Sequence, residues 1–357
     1  MSDSKIPPEA QAQINALIRE RVERLQLYGQ VRPESSIGLN GSRLVFVGNK
    51  VYRMPSEKCK YLTDFLWEYV PQVFGHDWGY CEGAKPPGER HPVMQWALKG
   101  SQYAKAQSQL PNESRALGPS GPLSAYMNFA YDLYTVDNNN GLDGRLVQRL
   151  KHIDQFQGAR HELFAEATCL RAGFAVEHEN ERDGLTHHVE FTATHGATGQ
   201  KFSVEAKSSH RPGIVGRPGV RQPSDKLNLR FGRLLNKAIA KNPAHTLVFF
   251  LDMNMPSEAA NRFLSQQAGG APHQFITSTL ARIRAHHGGK DPISLLLITN
   301  HAAHHTKDDE ISPDDHLLIQ IPAQLPLPPE KMPQFEAMMA LFNAANLYGN
   351  IPHQELY

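Results

Sequence analysis

The chain has only three cysteines among its 357 residues, at positions 59, 81 and 169. Three scattered cysteines exclude a disulfide framework and a zinc site built from paired cysteines. Long apolar runs are also missing: the densest, residues 247–251, is far shorter than the roughly 18 residues of a membrane span. Because the first residues also contain no hydrophobic signal core, we expect a cytoplasmic protein with no membrane partner.

Net charge is nearly absent as well, since 37 basic residues stand against 36 acidic ones and the formal charge is +1. This balance excludes a uniformly basic nucleic-acid binder. The average conceals one strongly basic segment, however. Residues 201–241 contain ten basic and two acidic side chains, a local charge of +8.

Five of these basic residues recur at spacings of three and four, which places them on one face of a helix predicted over 225–241. They are Lys226, Arg230, Arg233, Lys237 and Lys241. Like charges at this spacing destabilise an isolated helix, so a polyanion facing them would explain the pattern. A solvated basic face is the equally weighted alternative. With Arg211, in the Gly- and Pro-containing loop before the helix, this set is our predicted nucleic-acid contact.

Composition divides the chain into four segments. Residues 1–106 hold all three tryptophans and a hairpin pattern around Gly48-Asn49, and they predict a separate α+β region. Residues 107–145 begin with a stretch rich in Pro, Gly and Ser and predict a linker and connecting segment. Residues 146–321 predict the main domain, and 322–357 a Pro-rich spacer with a C-terminal helix.

Helix and strand patterns alternate within residues 146–321. The predicted order is a helix over 146–172 that Gly158 can interrupt, strands over 174–179, 187–194 and 201–207, a helix over 225–241, a strand over 245–252, a helix over 274–286 and a strand over 293–299. This order predicts an α/β (α+β) fold in which helices flank a mixed sheet.

Two carboxylates are predicted to meet on this sheet. Strand alternation puts Glu205 and Lys207 on one face, and a hairpin with the preceding strand can place Glu190 beside Glu205, since neighbouring strands lie about 4.8 Å apart. Such a carboxylate pair favours a hard cation, Mg²⁺ or Mn²⁺, with the Ala206 carbonyl as a further ligand. Lys207 would position a water or stabilise charge on a phosphate. The alternative is a simple ion pair on a solvated hairpin.

At these residues the sequence resembles the PD-(D/E)xK nuclease superfamily, whose fold is restriction-endonuclease-like. In that family a helix carrying a Glu leads into a hairpin bearing an acid, and (D/E)-x-K follows on the next strand. Glu205 and Lys207 match the (D/E)-x-K, and Glu162 matches the helix acid, with Glu166 as its rival. Glu190 stands where the family has Asp. Asp183 is its rival, although Asp183-Gly184 is typical of the turn before the strand. The strings HVEFTATH and VEAKSSHRPG are also similar to segments of uncharacterised bacterial proteins, which implies no activity.

The resemblance covers residues 158–300 and implies a restriction-endonuclease-like mixed sheet that hydrolyses phosphodiester bonds. It implies Glu162, Glu190, Glu205 and Lys207 as catalytic residues, Mg²⁺ or Mn²⁺ as cofactor, and DNA as the expected nucleic-acid partner. A homodimer would suit the cutting of two strands. Two alternatives stay open: a non-catalytic nucleic-acid-binding protein on the same fold, and a scaffold that binds a protein partner through its N-terminal region.

Overall fold

The computed structural model describes residues 35–111, 118–178, 189–215, 231–255, 271–289, 292–301, 305–311, 318–322 and 331–356, with isolated positions before residue 30. Over these ranges the chain forms two β-sheets with helices packed around them. No helix in these ranges combines the length and the apolar character needed to cross a membrane.

The N-terminal sheet is an antiparallel meander of β1 (Ser35–Leu39), β2 (Ser42–Val47) and β3 (Lys50–Met54). The predicted hairpin at Gly48-Asn49 is confirmed as the turn between β2 and β3. Gly48 has a φ of 55°, and a Cβ placed there would lie 2.7 Å from the Asp137 carbonyl oxygen. Only glycine suits this position, because a side chain would collide with the helix beneath the hairpin.

Four helices follow this sheet. They are α1 (Leu62–Phe74), α2 (His76–Ala84), α3 (Pro92–Gln109) and α4 (Gly121–Asn139). Helix α4 lies inside the predicted linker over 107–145, and nearly all of its side chains are buried. The linker prediction is therefore wrong for residues 121–139. Their apolar and aromatic residues surround the whole helix, which is typical of a helix buried on all sides.

Asp137, near the end of α4, joins the N-terminal sheet to the helices. Its carboxylate accepts hydrogen bonds from the hydroxyl groups of Tyr52 (2.7 Å) and Tyr69 (2.8 Å), and it contacts the Lys50 ammonium at 2.9 Å. The Leu142 N–H also donates to it, at 3.2 Å. The carboxylate itself is 1% exposed. A single buried side chain thus connects β3, α1 and α4.

The N-terminal region is not a separate unit. One hydrophobic cluster runs without interruption from Val47 and Phe65 through Phe129 to Phe164 and Leu341. The prediction of a separate α+β region is therefore corrected: its apolar face is completed by helices from the rest of the chain. Most of the aromatic side chains of residues 1–106 are buried in this hydrophobic cluster or pack against it.

The second sheet contains the region predicted to carry the chemistry. Its elements, in chain order, are α5 (Gly144–Lys151), α6 (Ile153–Arg171), β4 (Phe174–His178), β5 (Phe191–His195), β6 (Lys201–Ser208), α7 (Phe231–Ile239), β7 (Leu247–Asp252), α8 (Ala271–His286), β8 (Ile293–Thr299), β9 (Leu318–Pro322) and α9 (Met332–Asn346). The predicted order is confirmed from the first helix to β8, except that the first helix is interrupted at His152 rather than near Gly158. Strand β9 has no counterpart in the predicted order.

The six strands lie in the sheet in sequence order. Strands β4, β5 and β6 are antiparallel neighbours, β6 runs parallel to β7 and β7 to β8, and β9 closes the sheet antiparallel to β8. The sheet is therefore mixed, as predicted, and the change from antiparallel to parallel pairing occurs at β6.

Helices cover both faces of this sheet. On one face, Val204 and Ala206 join the main core with Phe164 of α6. On the other, Phe249 of β7 packs with Leu235 and Ala238 of α7 in a second core. Since Glu205 is the register partner of Phe249, Glu205 lies on the face covered by α7.

The C-terminal helix α9 docks on the sheet, where Met338 and Leu341 enter the main core. Behind it, the buried Tyr348 hydroxyl accepts a hydrogen bond from Arg160 of α6 at 2.8 Å. The Pro-rich spacer over 323–330 lies outside the described residues.

We expect the change Asp137→Ala to lower the free energy of unfolding by about 2–4 kcal/mol, because it leaves two buried tyrosine hydroxyl groups without their acceptor. Urea unfolding measures this loss. Lys50→Met is the matched control, since the Lys50 side chain is 50% exposed and its ion pair should contribute less than about 1 kcal/mol. Equal losses for both variants would contradict the assigned role of Asp137.

A second prediction concerns acid stability. His91 caps α3 by accepting the Val93 N–H at Nδ1 (3.3 Å), which requires an unprotonated ring nitrogen. Burial lowers the pKa of His91 from 6.5 to about 4, against the opposing effect of the Glu82 carboxylate. The unfolded chain therefore binds more protons than the folded chain between these pH values. The free energy of unfolding should fall as the pH drops from 6.5 towards 4.

His91→Asn keeps a capping acceptor but removes the titrating ring, so its unfolding free energy should fall less between pH 7 and pH 5 than that of the wild type. His76→Asn, at an exposed histidine, is the control and should keep the wild-type pH dependence. Urea titrations at the two pH values provide the comparison. An unchanged pH dependence in His91→Asn would disprove the assignment.

Candidate functional site

The pairing of β5 with β6 brings the two predicted carboxylates together. Phe191 pairs with Val204, and the Glu190 N–H donates to the Val204 carbonyl oxygen at 3.1 Å. Glu190 itself lies just before β5, beyond the last paired residues, and its carboxylate is near Glu205 because both contact Lys207. Val189 and Phe191 lie in different hydrophobic cores, so the alternation predicted over 187–194 does not extend to Glu190.

Lys207 lies between these carboxylates. Its Nζ is 2.7 Å from Glu190 Oε1 and 2.7 Å from Glu205 Oε1. The side chains differ in exposure: Glu205 is fully buried, whereas Glu190 is 18% exposed and Lys207 is 32% exposed. Burial by itself lowers the pKa of Lys207, but the two carboxylates outweigh this effect and hold the pKa above its ordinary value. Lys207 is therefore a permanent ammonium group here.

A second lysine reaches Glu205 from the opposite direction. Lys241 follows α7, and its Nζ lies 2.7 Å from Oε1 and 2.8 Å from Oε2 of Glu205. The spacing of the basic residues predicts Lys241 on a basic helix face directed at phosphates. The periodicity cannot reveal its actual contact, because that contact depends on where α7 packs on the sheet.

Glu162 of α6 lies beside this group but is held by an arginine. Both of its oxygens bind the Arg149 guanidinium, at 2.6 and 2.7 Å. Burial is the largest influence and raises the pKa of Glu162; the Arg149 hydrogen bonds oppose it, and the Glu190 carboxylate adds to it. Its rival Glu166 instead contacts His178 at 3.0 Å and Asn140 at 3.3 Å. Glu162 is thus the acid that interacts electrostatically with Glu190.

A buried polar cluster supports the end of β6. Gln157 of α6 donates to the Ser208 hydroxyl (2.9 Å) and to Asp252 Oδ2 (2.7 Å), and Ser208 donates to the same oxygen at 2.9 Å. Sequence reasoning missed this cluster, since no local pattern connects residues so far apart. It fixes the position of α6 against β6 and β7, directly after Lys207.

The carboxylate pair fits a hard divalent cation in its donor chemistry. Glu190 and Glu205 already converge on one cationic atom, Lys207 Nζ. Because backbone groups alternate along a strand, the Ala206 carbonyl faces the β5 side, as the Val204 carbonyl does. In the described part of the chain, no three His, Cys, Asp or Glu side chains converge to hold a metal ion. A cation here would therefore depend on two carboxylates and the main-chain carbonyl.

The predicted nucleic-acid contacts divide into four groups. Arg233 and Lys237 are exposed on α7, opposite its buried apolar residues. Arg211, in the loop after β6, donates from Nε to the Met253 carbonyl at 3.3 Å. Lys226 and Arg230 lie outside the described residues, and Lys241 turns towards Glu205.

We expect Lys207→Met to lower the free energy of unfolding at pH 7 by about 2–4 kcal/mol, because Glu190 and the buried Glu205 then face each other without the shared ammonium group. Urea unfolding at pH 7 measures this loss.

Lys201→Met is the matched control for this variant. Lys201 begins the same strand and is exposed, so its replacement should change the free energy of unfolding by less than about 0.5 kcal/mol. A Lys207→Met variant as stable as Lys201→Met would disprove the assigned role of the shared ammonium group.

Comparisons of the chain with protein-family models, with curated proteins and with solved structures gave no match.

Proposed function

We propose that this protein is a metal-dependent nuclease that hydrolyses phosphodiester bonds, with DNA as its substrate. The observation that carries the proposal is the convergence of Glu190 and Glu205 on the Lys207 ammonium group, 2.7 Å from each. A fully buried carboxylate is unfavourable unless it is paired, and fold stability alone does not require one in the middle of a strand. Such a cost is typical of a site retained for chemistry.

The order of elements around the site supports the resemblance to the PD-(D/E)xK superfamily. Helix α6 carries Glu162, the hairpin of β4 and β5 brings in Glu190, and β6 carries Glu205-Ala206-Lys207. This is the succession that the family motif implies, on a mixed sheet with helices on both faces. The restriction-endonuclease-like fold is accordingly part of the proposal.

In the proposed reaction, Glu190, Glu205 and the Ala206 carbonyl would hold the cation. When bound, Mg²⁺ supplies Lewis-acid stabilisation of the phosphate and lowers the pKa of a coordinated water. Lys207 donates a hydrogen bond to the attacking water or to the charge that develops on the phosphate. Glu162 lies behind the proposed metal ligands, and its two hydrogen bonds with Arg149 fix its orientation.

The exposed basic side chains of α7 provide a surface to which the phosphates of the substrate can bind. Arg233 and Lys237 are exposed on the helix that covers the same sheet face as Glu205. Phosphate contacts from such residues fix the register of a nucleic acid without reading its bases. We therefore expect binding that weakens steeply with salt.

A non-catalytic nucleic-acid-binding protein is the second candidate. The observation that favours it is that Glu162, Glu190 and Glu205 all have cationic partners within the chain. Such pairing also suits a purely structural cluster. The two candidates differ only in whether cleavage occurs.

The test is incubation of the protein with supercoiled, linear, single-stranded and branched DNA, and with RNA, in Mg²⁺ or Mn²⁺. We expect cleavage by the wild type and a loss of about 100-fold or more in Glu190→Gln, Glu205→Gln and Lys207→Met. The control Lys201→Met should cleave at the wild-type rate, because this residue is exposed at the far end of β6.

Salt-dependent binding without metal-dependent cleavage on every substrate would favour the non-catalytic candidate. Cleavage that survives in Glu205→Gln would remove the assigned site even if the protein were a nuclease.

A further inference from the structure

Among the residues that the structure describes, the ion pairs of the candidate site balance in charge. They join three carboxylates, those of Glu162, Glu190 and Glu205, to three cations. Arg149 binds the first carboxylate, Lys207 lies between the second and the third, and Lys241 binds the third. An added divalent cation would leave this group with two uncompensated positive charges.

The Glu205 carboxylate binds Lys241 through both of its oxygens. The Lys241 Nζ lies 2.7 Å from Oε1 and 2.8 Å from Oε2, and the Lys207 Nζ lies 2.7 Å from Oε1. Glu205 is fully buried and cannot exchange its partner for water. A cation that coordinates Glu205 must therefore take the place of Lys241 on at least one oxygen.

The position of Lys241 also allows its ammonium group to move away from Glu205. It stands just after the last residue of α7, on a four-carbon side chain that is 21% exposed. One helical turn before it, Lys237 is exposed on the helix. An ammonium group released from Glu205 would join this basic surface, where a phosphate can bind it.

We propose that Lys241 exchanges partners, from the Glu205 carboxylate to a backbone phosphate of the substrate, and that this exchange couples divalent-cation binding to nucleic-acid binding. The inference rests on the proposed function, since it takes Glu205 as a metal ligand. A polyanion withdraws Lys241 and exposes Glu205 to the cation, and the cation in turn releases Lys241 to the polyanion. By linkage, each ligand strengthens the binding of the other by the same factor.

The experiment measures Mn²⁺ affinity by electron paramagnetic resonance of the free ion. The protein is titrated alone and with a short duplex oligonucleotide whose phosphorothioate linkages resist hydrolysis. In the wild type we expect the oligonucleotide to tighten Mn²⁺ binding about fivefold or more, and Mn²⁺ to tighten oligonucleotide binding by an equal factor.

Lys241→Met should bind Mn²⁺ about tenfold more tightly than the wild type without the oligonucleotide, and the coupling should fall to about onefold. Lys241→Gln is a second variant with a polar side chain, for which we expect the same result, and circular dichroism verifies the fold of both. Lys237→Met is the charge control: it also removes one cation from this surface, so its oligonucleotide affinity should fall while the coupling factor stays at the wild-type value.

The outcomes separate this inference from the proposed function. Mn²⁺ binding that requires Glu205 but has the same affinity and coupling in the wild type and both Lys241 variants would overturn the exchange and leave the nuclease proposal standing. Mn²⁺ binding that is absent, or that is unchanged in Glu205→Gln, would overturn both.

Discussion

The neutralisation of one buried carboxylate, that of Glu205, is the constraint around which this part of the molecule is organised. The side chain lies in the middle of β6 with no exposure to solvent. An unpaired charge in a buried position destabilises the folded protein, so the neighbours of Glu205 must supply positive charge. Lys207 does so from the same strand and Lys241 from the end of α7.

This requirement determines the relative placement of several elements. Strand β5 must pair in the register that brings Glu190 to Lys207, and α7 must end where Lys241 reaches Glu205. Helix α6 is tied to the ends of β6 and β7 through Gln157. The site therefore lies where the sheet changes from antiparallel to parallel pairing, with different elements contributing on each side of β6.

The remainder of the chain makes this sheet part of a larger body. The buried helix α4 packs against both the N-terminal sheet and α6, and its Asp137 anchors the first sheet through two tyrosine hydroxyl groups. The near-zero net charge acquires a clearer meaning from this arrangement. The +8 of residues 201–241 belongs partly to an exposed helix face and partly to the neutralisation of a buried acid.

The sequence by itself determined most elements of the second sheet and the shared face of Glu205 and Lys207 on β6, because periodicity and strand alternation are local properties. Only the tertiary structure decided that α4 is core, that Arg149 holds Glu162 and that Lys241 turns inward to Glu205. Each of these depends on the packing of segments distant in sequence. A pattern of charges shows which residues share a helix face, but it does not show which partner that face meets.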